Sequence, residues 1–496
     1  MTRINTNVQS LIARRALDMN NRSLTQSLER LSSGLRINSG RDDPAGLIAS
    51  ETLRSSVRAI TSAVDNAIRA DTIVAVAEGG LQEINSLLLE LEALVDHSAN
   101  EGGLTAEEVS ANQLQIDAIL QSINRLADSS AFGDKKLLDG TLDFVTSGVN
   151  INESTGGTLD HLDKVQVNSA KLAAGSFRQV TINVTSGSQF AYVSAQGAAG
   201  TFGTGASVSA VTIQIRGNYG SELLSFASGT TAASVRDAVN ASTALTGVSA
   251  VLSGAGTTAS PTSIMFTSNS YGSEAFVSVS IIEKPSTTSD GLTLSTGQDY
   301  GANGSVTVNG ANAIVSGLDV SVRTASLSAD LTLSTSFGST DGGSTSFEIT
   351  GGGANFSISP TVGLAGMESV GIGDVSTSNL GSNAVGGFLA SLGSGLTNDL
   401  ASRNFAVAQR IVRAAINEVA SLRGRLGAFQ KDTLQTTINS LQVARENVTA
   451  AESAIRDADF AAETAALTRA QILVNASSTV LQIANAQPSN VLALLG

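Results

Sequence analysis

Leu53, Val57, Ile60, Val64, Ala67, Val74, Leu81, Ile84, Leu88, Leu91 and Val95 recur at steps of three, four or seven, the spacing of one face of an α-helix. The pattern predicts one helix over residues 46–99, on the order of 80 Å long at 1.5 Å per residue. A helix of that length needs partners along it. Asp42-Asp43-Pro44 marks its start, since carboxylates cap free amides and proline fits the first turn, and Asn100-Glu101-Gly102-Gly103 marks its end. Thr105-Ala-Glu-Glu108 is a capping box and opens a second helix through Val109, Leu114, Ile116, Ile119, Ile123 and Leu126, ending in a turn around Phe132-Gly133-Asp134. A third long helix is predicted from about Asn398 to Ile455, on the stripe Val407, Ile411, Ile416, Val419, Leu422, Leu426, Phe429, Leu434, Ile438, Leu441 and Val448.

Helices from both halves of the chain therefore share one bundle, and everything from about 140 to 397 is an insertion into it. The two chain ends then lie together. They carry stripes of their own: Ile4, Val8, Leu11, Ile12, Leu17, Leu24, Leu28, Leu31 and Leu35 at the start, and Leu467, Ile472, Leu473, Val480, Leu481, Ile483, Val491, Leu492, Leu494 and Leu495 at the finish. Such stripes are ordinarily a helical core. Here a monomer would leave the terminal stripes partly wet, which implies either disorder in solution or burial between subunits. The first arm also holds Arg3, Arg14, Arg15, Arg22, Arg30, Arg36 and Arg41 against Asp18 and Glu29, but it has no aromatic anchor for a membrane surface.

The middle is a different material. Residues 171–400 hold 34 of the 49 glycines and most of the aromatics, while residues 1–131 have no Phe, Tyr or Trp. Runs such as Val180-Thr-Ile-Asn-Val184, Val211-Thr-Ile-Gln-Ile215, Phe276-Val-Ser-Val-Ser-Ile281, Val306-Thr-Val308 and Leu318-Asp-Val-Ser-Val322 alternate at period two between Gly, Ser and Asn turns, the pattern of antiparallel sheet. Asn218-Tyr-Gly-Ser-Glu222 returns as Ser270-Tyr-Gly-Ser-Glu274, with a short helix expected over Ala232 to Val239 between them. The fold class is thus α + β multidomain: a long antiparallel helical bundle formed by both chain ends, with a β-rich insertion of one or two outer domains. The expected divisions are an N-terminal helical arm over 1–45, half of a helical core over 46–170, β modules over 171–290 and 291–397, the second half of the core over 398–455 and a C-terminal arm over 456–496.

Composition narrows the chemistry. A formal charge of −14 with no basic patch argues against a nucleic-acid partner. Zero cysteine removes disulfides and thiolate chemistry together. His97 and His161 stand apart with no second histidine at helical spacing, and no H-E-x-x-H zinc motif is present. Gly351-Gly-Gly353 and Gly371-Ile-Gly373 lack the endings of phosphate-binding loops and read as turns. No nucleophile elbow occurs, so neither enzyme, metal nor cofactor is expected. Met1 to Leu11 has no apolar core of a signal peptide, and no stretch reaches the roughly 18 apolar residues of a membrane span. Export, if it occurs, is expected to use another route, with no membrane insertion.

The chain ends resemble those of bacterial flagellins. The resemblance rests on Ile4-Asn-Thr-Asn7, Leu31-Ser-Ser-Gly-Leu-Arg-Ile-Asn38, Ser39-Gly-Arg-Asp-Asp-Pro-Ala-Gly46, Ile455-Arg-Asp-Ala-Asp-Phe-Ala-Ala-Glu463, Ala470-Gln-Ile-Leu473 and Pro488-Ser-Asn-Val-Leu-Ala-Leu-Leu495, in that order. It covers about residues 1–145 and 395–496. Phe347-Glu-Ile-Thr-Gly-Gly-Gly-Ala-Asn-Phe356 resembles a stretch that many flagellins use on returning toward the core, and residues 211–282 and 300–335 resemble a small insertion module of flagellins and hook proteins. The resemblance implies a structural subunit that polymerises with itself into the flagellar filament for swimming motility, leaves the cell through the flagellar type III export channel, and meets an export chaperone, a cap and hook-filament junction proteins. It implies an inner core lined by Ile4, Val8, Leu11, Leu24, Leu28, Leu31, Leu35, Leu467, Ile472, Leu473, Val480, Leu492 and Leu495. Outer-core helix packing falls to Leu53, Val57, Ile60, Val64, Leu81, Leu88, Ile411, Val419, Leu422, Leu426, Leu434 and Ile438. A hook-filament junction protein, or an adhesin or glycan-binding insert on the same core, are the alternative readings.

The segment Leu89-Glu-Leu-Glu-Ala-Leu94 departs from flagellins that Toll-like receptors detect. Glu90 and Glu92 stand where those carry arginines, and Ala93 where they carry a glutamate. Weak or absent receptor activation is the expectation; the same glutamates also read as a tolerated solvated helix face.

Overall fold

The computed structural model describes residues 6–100, 103–148, 161–173, 176–196, 207–208, 211–227, 230–253, 263–283, 293–382 and 385–495, the last eight by their backbone alone. The helices are α1 (Val8–Ser33), α2 (Pro44–Ser98), α3 (Ala106–Ser129), α4 (Ala232–Ala241), the single turns α5 (Thr243–Thr246) and α6 (Thr335–Gly338), then α7 (Phe405–Ala428), α8 (Thr436–Arg456) and α9 (Phe460–Leu495). The chain folds as two compact bodies. One holds residues 1–69, 357–366 and 433–496, and the other holds 70–356 and 367–432.

In the first body α1 lies antiparallel to α9. Asn7 Nδ2 donates to the Ala484 carbonyl at 2.7 Å, Asn20 Nδ2 to Ser477 Oγ at 2.6 Å, and Arg30 faces Glu463 at 3.9 Å. Asn7 also caps α1, its side chain accepting from Ser10 N, and Gly34 ends the helix at φ 73°, where a side chain would be strained. Asp43 starts α2 by accepting the Gly46 N–H at 2.9 Å. A Cβ on Gly46 would strike that carboxylate and the Ile37 side chain. Ile60, Val64, Leu434 and Ile438 are buried in this body, and Glu51 meets Arg456 at 3.0 Å while Arg54 meets Glu452 at 3.8 Å.

The second body has three hydrophobic cores. The first joins α2, α3 and α7 through Val74, Leu81, Leu88, Ile116, Ile123, Ile411, Val419 and Leu426, all fully buried. Thr105 makes both bonds of its capping box with Glu108, as the tetrapeptide predicts. Leu114 falls off the buried face and is exposed. Gly80 lets α2 approach the connection after α3, since a Cβ there would lie 2.7 Å from Ser130 Oγ and 2.8 Å from Leu138 Cδ1.

The second core lies between two antiparallel sheets. In one, Ala311–Asn312, Ser305–Val308, Arg178–Ser186, Ser344–Gly352 and Phe144–Ser147 follow one another; in the other, Ile314–Ser316, Asp319–Arg323, Leu327–Leu333 and Leu162–Ala170 do so. Val180, Ile182 and Val184 alternate with Thr181 and Asn183, and the three apolar side chains point into the core. The third core belongs to an inserted module in which Val248–Ser253, Ser263–Tyr271, Phe190–Gln196 and Thr293–Leu294 form one sheet. Gln298–Tyr300, Phe276–Glu283, Val211–Arg216 and Ser221–Phe226 form the other, with α4 packed through Val235 and Val239.

Four expected boundaries move. The helical half-core over 46–170 is helical only to Ser129, because Phe144–Ser147 and Leu162–Ala170 join the sheets. The boundary between β modules at 290/291 is crossed by Arg178–Ser186, which pairs with Ser305–Val308 and Ser344–Gly352. One sheet is therefore assembled from both flanks of the inserted module, a long-range pairing that no local pattern encodes. Residues 370–392, assigned to the second β module, instead bury Val370, Ile372, Val375, Leu380, Leu389 and Leu392 in the helical core. The third helix starts at Phe405 and not at Asn398: Asp399 caps a 3₁₀ turn by accepting from Ser402 N at 2.8 Å, and Arg403 sits at φ 58°. A π-helical turn over Phe429–Gln435 separates α7 from α8.

Candidate assembly interface

The pairing of α1 with α9 inverts the usual sorting of side chains. What the pair buries is small: Ala13 and Ser27 on α1, Ala470 and Ala484 on α9, two heptads apart in each helix. What it leaves in water is large and apolar, with Leu11 58% and Ile472 62% exposed and Val8, Ile12, Met19, Leu28, Leu473, Val480, Ile483 and Phe460 exposed beside them. Leu24, Leu31, Leu35 and Leu467 are half-buried. Small residues at the seam let the backbones come close, and the Asn7 and Asn20 amides tie the two helices, so the apolar stripes remain available to another surface. Ile4 lies outside the described residues, as do the side chains of Leu492 and Leu495.

The loop between α1 and α2 fixes where the arm departs. Asp42 accepts from Ser39 N at 2.9 Å, Ser39 Oγ at 3.0 Å, Asn38 N at 3.2 Å and Gln26 Nε2 at 3.1 Å. These donors, led by the Ser39 amide, hold its carboxyl below the ordinary carboxylate range. The Arg36 guanidinium donates to the Ile455 carbonyl at 3.1 Å from Nε, and Arg36 N to the Arg456 carbonyl at 2.7 Å. The sequence segments that carry the family resemblance thus build one joint between the two chain ends.

The outer-core residues fall in both bodies. Leu81, Leu88, Ile411, Val419, Leu422 and Leu426 share the helical core of the second, while Ile60, Val64, Leu434 and Ile438 are buried and Leu53 and Val57 half-buried in the first. Of the departing residues on α2, Glu90 and Ala93 are exposed, and Glu92 accepts from Arg413 Nε at 2.7 Å, tying α2 to α7. The pattern of apolar residues did not single out Met19 or Phe460, or the small seam; the two-heptad spacing of Ala and Ser was the signal for the latter.

Neither histidine builds a reactive site. His97 is exposed with Asn112 Nδ2 3.4 Å from Nδ1, and His161 packs on Phe337 with Thr345 Oγ1 3.2 Å from Nδ1. Among the described residues no group of three or more His, Cys, Asp or Glu is placed to hold a metal, and no helix is long and apolar enough to cross a membrane.

Terminal helices that pair through small residues and expose large ones place the chain among helical proteins with an uncovered apolar surface. Comparison with known proteins gives that class its family. Residues 4–143 match the bacterial flagellin N-terminal helical region, residues 410–495 its C-terminal helical region, and residues 212–270 the flagellin hook IN motif. The chain is 30% identical to flagellin C of Vibrio cholerae over 99% of both chains, and 27% identical to polar flagellin A of Vibrio parahaemolyticus over the same share. Among solved structures it is similar to the flagellar cap protein FliD of Serratia marcescens (17% identity, 34% of this chain and 91% of that one, TM-score 0.23) and FlgL of Xanthomonas campestris (14%, 80% and 94%, TM-score 0.21). The chain belongs to the bacterial flagellin family. It is a structural subunit of the extracellular flagellar filament, a homopolymer that serves motility.

Proposed function

We propose that α1 and α9 are the surface through which copies of this chain meet in the filament, with Val8, Leu11, Leu28, Ile472, Leu473 and Val480 forming its apolar stripe and Leu24, Leu31, Leu35 and Leu467 its base. Ile4, Leu492 and Leu495 extend the stripe in this reading. The observation that carries it is the inverted burial of the pair, small residues inside and large apolar ones in water. Residues 1–45 and 456–496 are then the inner core, the helices of 46–170 and 398–455 the outer core, and the β modules face outward. The work of such a subunit is mechanical and includes no catalysis. Its further partners are an export chaperone, the cap and hook-filament junction proteins, and it leaves the cell through the flagellar export channel. The charge inversion at Glu90 and Glu92 supports weak or absent activation of Toll-like receptors.

The test is electron microscopy of heat-dissociated subunits seeded with filament fragments, beside a variant carrying Leu11→Glu and Ile472→Glu. Both positions are exposed in the monomer, so the variant keeps the circular dichroism of the parent. Long filaments from the parent and none from the variant are expected. Filaments of equal length from both would move the interface elsewhere.

A further inference from the structure

The repeated Tyr-Gly-Ser-Glu motif has no part in assembly through the chain ends, and the fold brings its two copies together. Tyr219 sits in the turn between Val211–Arg216 and Ser221–Phe226, and Tyr271 closes Ser263–Tyr271. Asn218 ties the turns, Nδ2 donating to the Glu274 carbonyl at 3.0 Å and Oδ1 accepting from Phe276 N at 3.0 Å. The motif glycines make this possible: Gly272, at φ 90°, packs against the Gly317 backbone with no room for a Cβ, and a Cβ on Gly220 would lie 2.9 Å from the Leu245 carbonyl.

The two tyrosines line one groove of about 710 Å³ with Phe190, Thr243, Asn269 and Arg410. That volume falls in the range of small-ligand sites. Phe190 meets Tyr271 edge-on at 5.7 Å, and the Arg410 guanidinium lies over the Tyr219 ring at 5.4 Å. Asn269 Oδ1 accepts from Ser249 Oγ at 2.5 Å, which leaves the amide N–H donors without a partner among the described residues. Among the described residues Arg410 is the one charged residue of the lining, on a chain of net charge −14. It makes no hydrogen bond or ion pair among the described residues. A guanidinium held over an aromatic ring by cation–π attraction, with no hydrogen-bond partner of its own, has its N–H fork to offer a carboxylate. Ring faces beside it offer apolar contact to the C–H face of a sugar, and hydroxyl and amide groups bond its hydroxyls.

We propose that this groove binds an acidic saccharide, its carboxylate on Arg410 and its ring against Tyr219 and Tyr271. The lone cation selects the acid, and the aromatic and hydroxyl lining selects a sugar over a peptide. The chain has no tryptophan, and two of its four tyrosines line the groove, so the intrinsic fluorescence of the full-length subunit responds to its occupation. Titration uses trigalacturonate and its carboxyl-reduced neutral counterpart. Saturable quenching by trigalacturonate is expected, about tenfold weaker for the neutral sugar. Arg410→Gln should weaken trigalacturonate by about the same factor and leave the neutral sugar unchanged, and Arg410→Lys should restore part of the loss. Seeded polymerisation of each variant confirms that it folds.

Absence of saturable binding overturns the proposal, as does equal affinity in Arg410→Gln. Oligoglutamate bound as tightly through Arg410 would make the groove a peptide site instead. Loss of trigalacturonate binding when monomers become sedimentable filaments would assign the groove to a neighbouring copy.

Discussion

Asp330 bridges two strands of the second core with three donors. Asn168 Nδ2 reaches Oδ2 at 2.7 Å, and Ser321 Oγ and Arg323 Nη2 reach Oδ1 at 2.7 and 2.6 Å. Burial alone would raise its carboxyl, but these donors and the Arg323 charge outweigh it, and the group lies below its ordinary range. A carboxyl lowered on folding contributes stability that is complete above its unfolded value of about 4 and is lost as pH falls through the folded one. Asp330→Asn should therefore cost about 1–2 kcal/mol at pH 7 and almost nothing in acid. The modest size follows from a side chain that is still 37% exposed. Urea titrations of parent and variant from pH 7 downward check it: the difference should shrink steadily once the pH passes below about 4, and a constant difference would contradict the assignment. Asp143, raised by burial, has the opposite sign: its contribution is largest in acid and fades as pH climbs through its folded value.

Helix α3 shows how an amphipathic element recruits irregular chain. Its Gln113 side chain donates to the Leu392 carbonyl at 2.9 Å and accepts from Leu400 N at 2.9 Å, while Asp117 accepts from Ser394 N at 3.0 Å. The segment leading into α7 thus obtains from a helix side chain the backbone partners that a strand would have given it. Gln113→Leu keeps the volume but strands a buried carbonyl and a buried amide, so a loss of about 2–4 kcal/mol is expected in denaturant unfolding. Thr105 and Glu108 were legible as a cap because the box is local in sequence. Gln113 was not, because its backbone partners lie hundreds of residues away and glutamine on a helix face carries no mark of burial.

A subunit that exposes large apolar side chains on paired terminal helices holds those helices weakly while alone. Small residues at the seam bury little apolar area, so the contribution to stability is small on both sides of the α1 and α9 contact. The buried face of α2 from Val74 to Val95 has no such deficit. Hydrogen exchange followed by mass spectrometry should accordingly show amides of α1 and α9 exchanging quickly in the monomer and slowly in the filament. Amides between residues 74 and 95 should be slow in both. Equal protection of the arms in the two states would mean that another surface drives assembly.

Local spacing determined a great deal of this protein. The stripe of α2, the Thr105 box and the alternation of Val180, Ile182 and Val184 each declare their element within a few residues, because helix and strand periodicity are properties of adjacent positions. The apolar stripes of both chain ends were equally plain, and so was the need to cover them. What the stripes did not declare was which residues the two arms would bury against each other: Ala13, Ser27, Ala470 and Ala484 form the seam, while Leu11, Leu28 and Leu473 stay outside. Only the tertiary structure settled that choice, as it settled the pairing of Arg178–Ser186 with strands more than a hundred residues later and the meeting of Tyr219 with Tyr271 in one groove. Contacts of that kind depend on how distant backbones approach, and a linear pattern records the face of an element but not its neighbour.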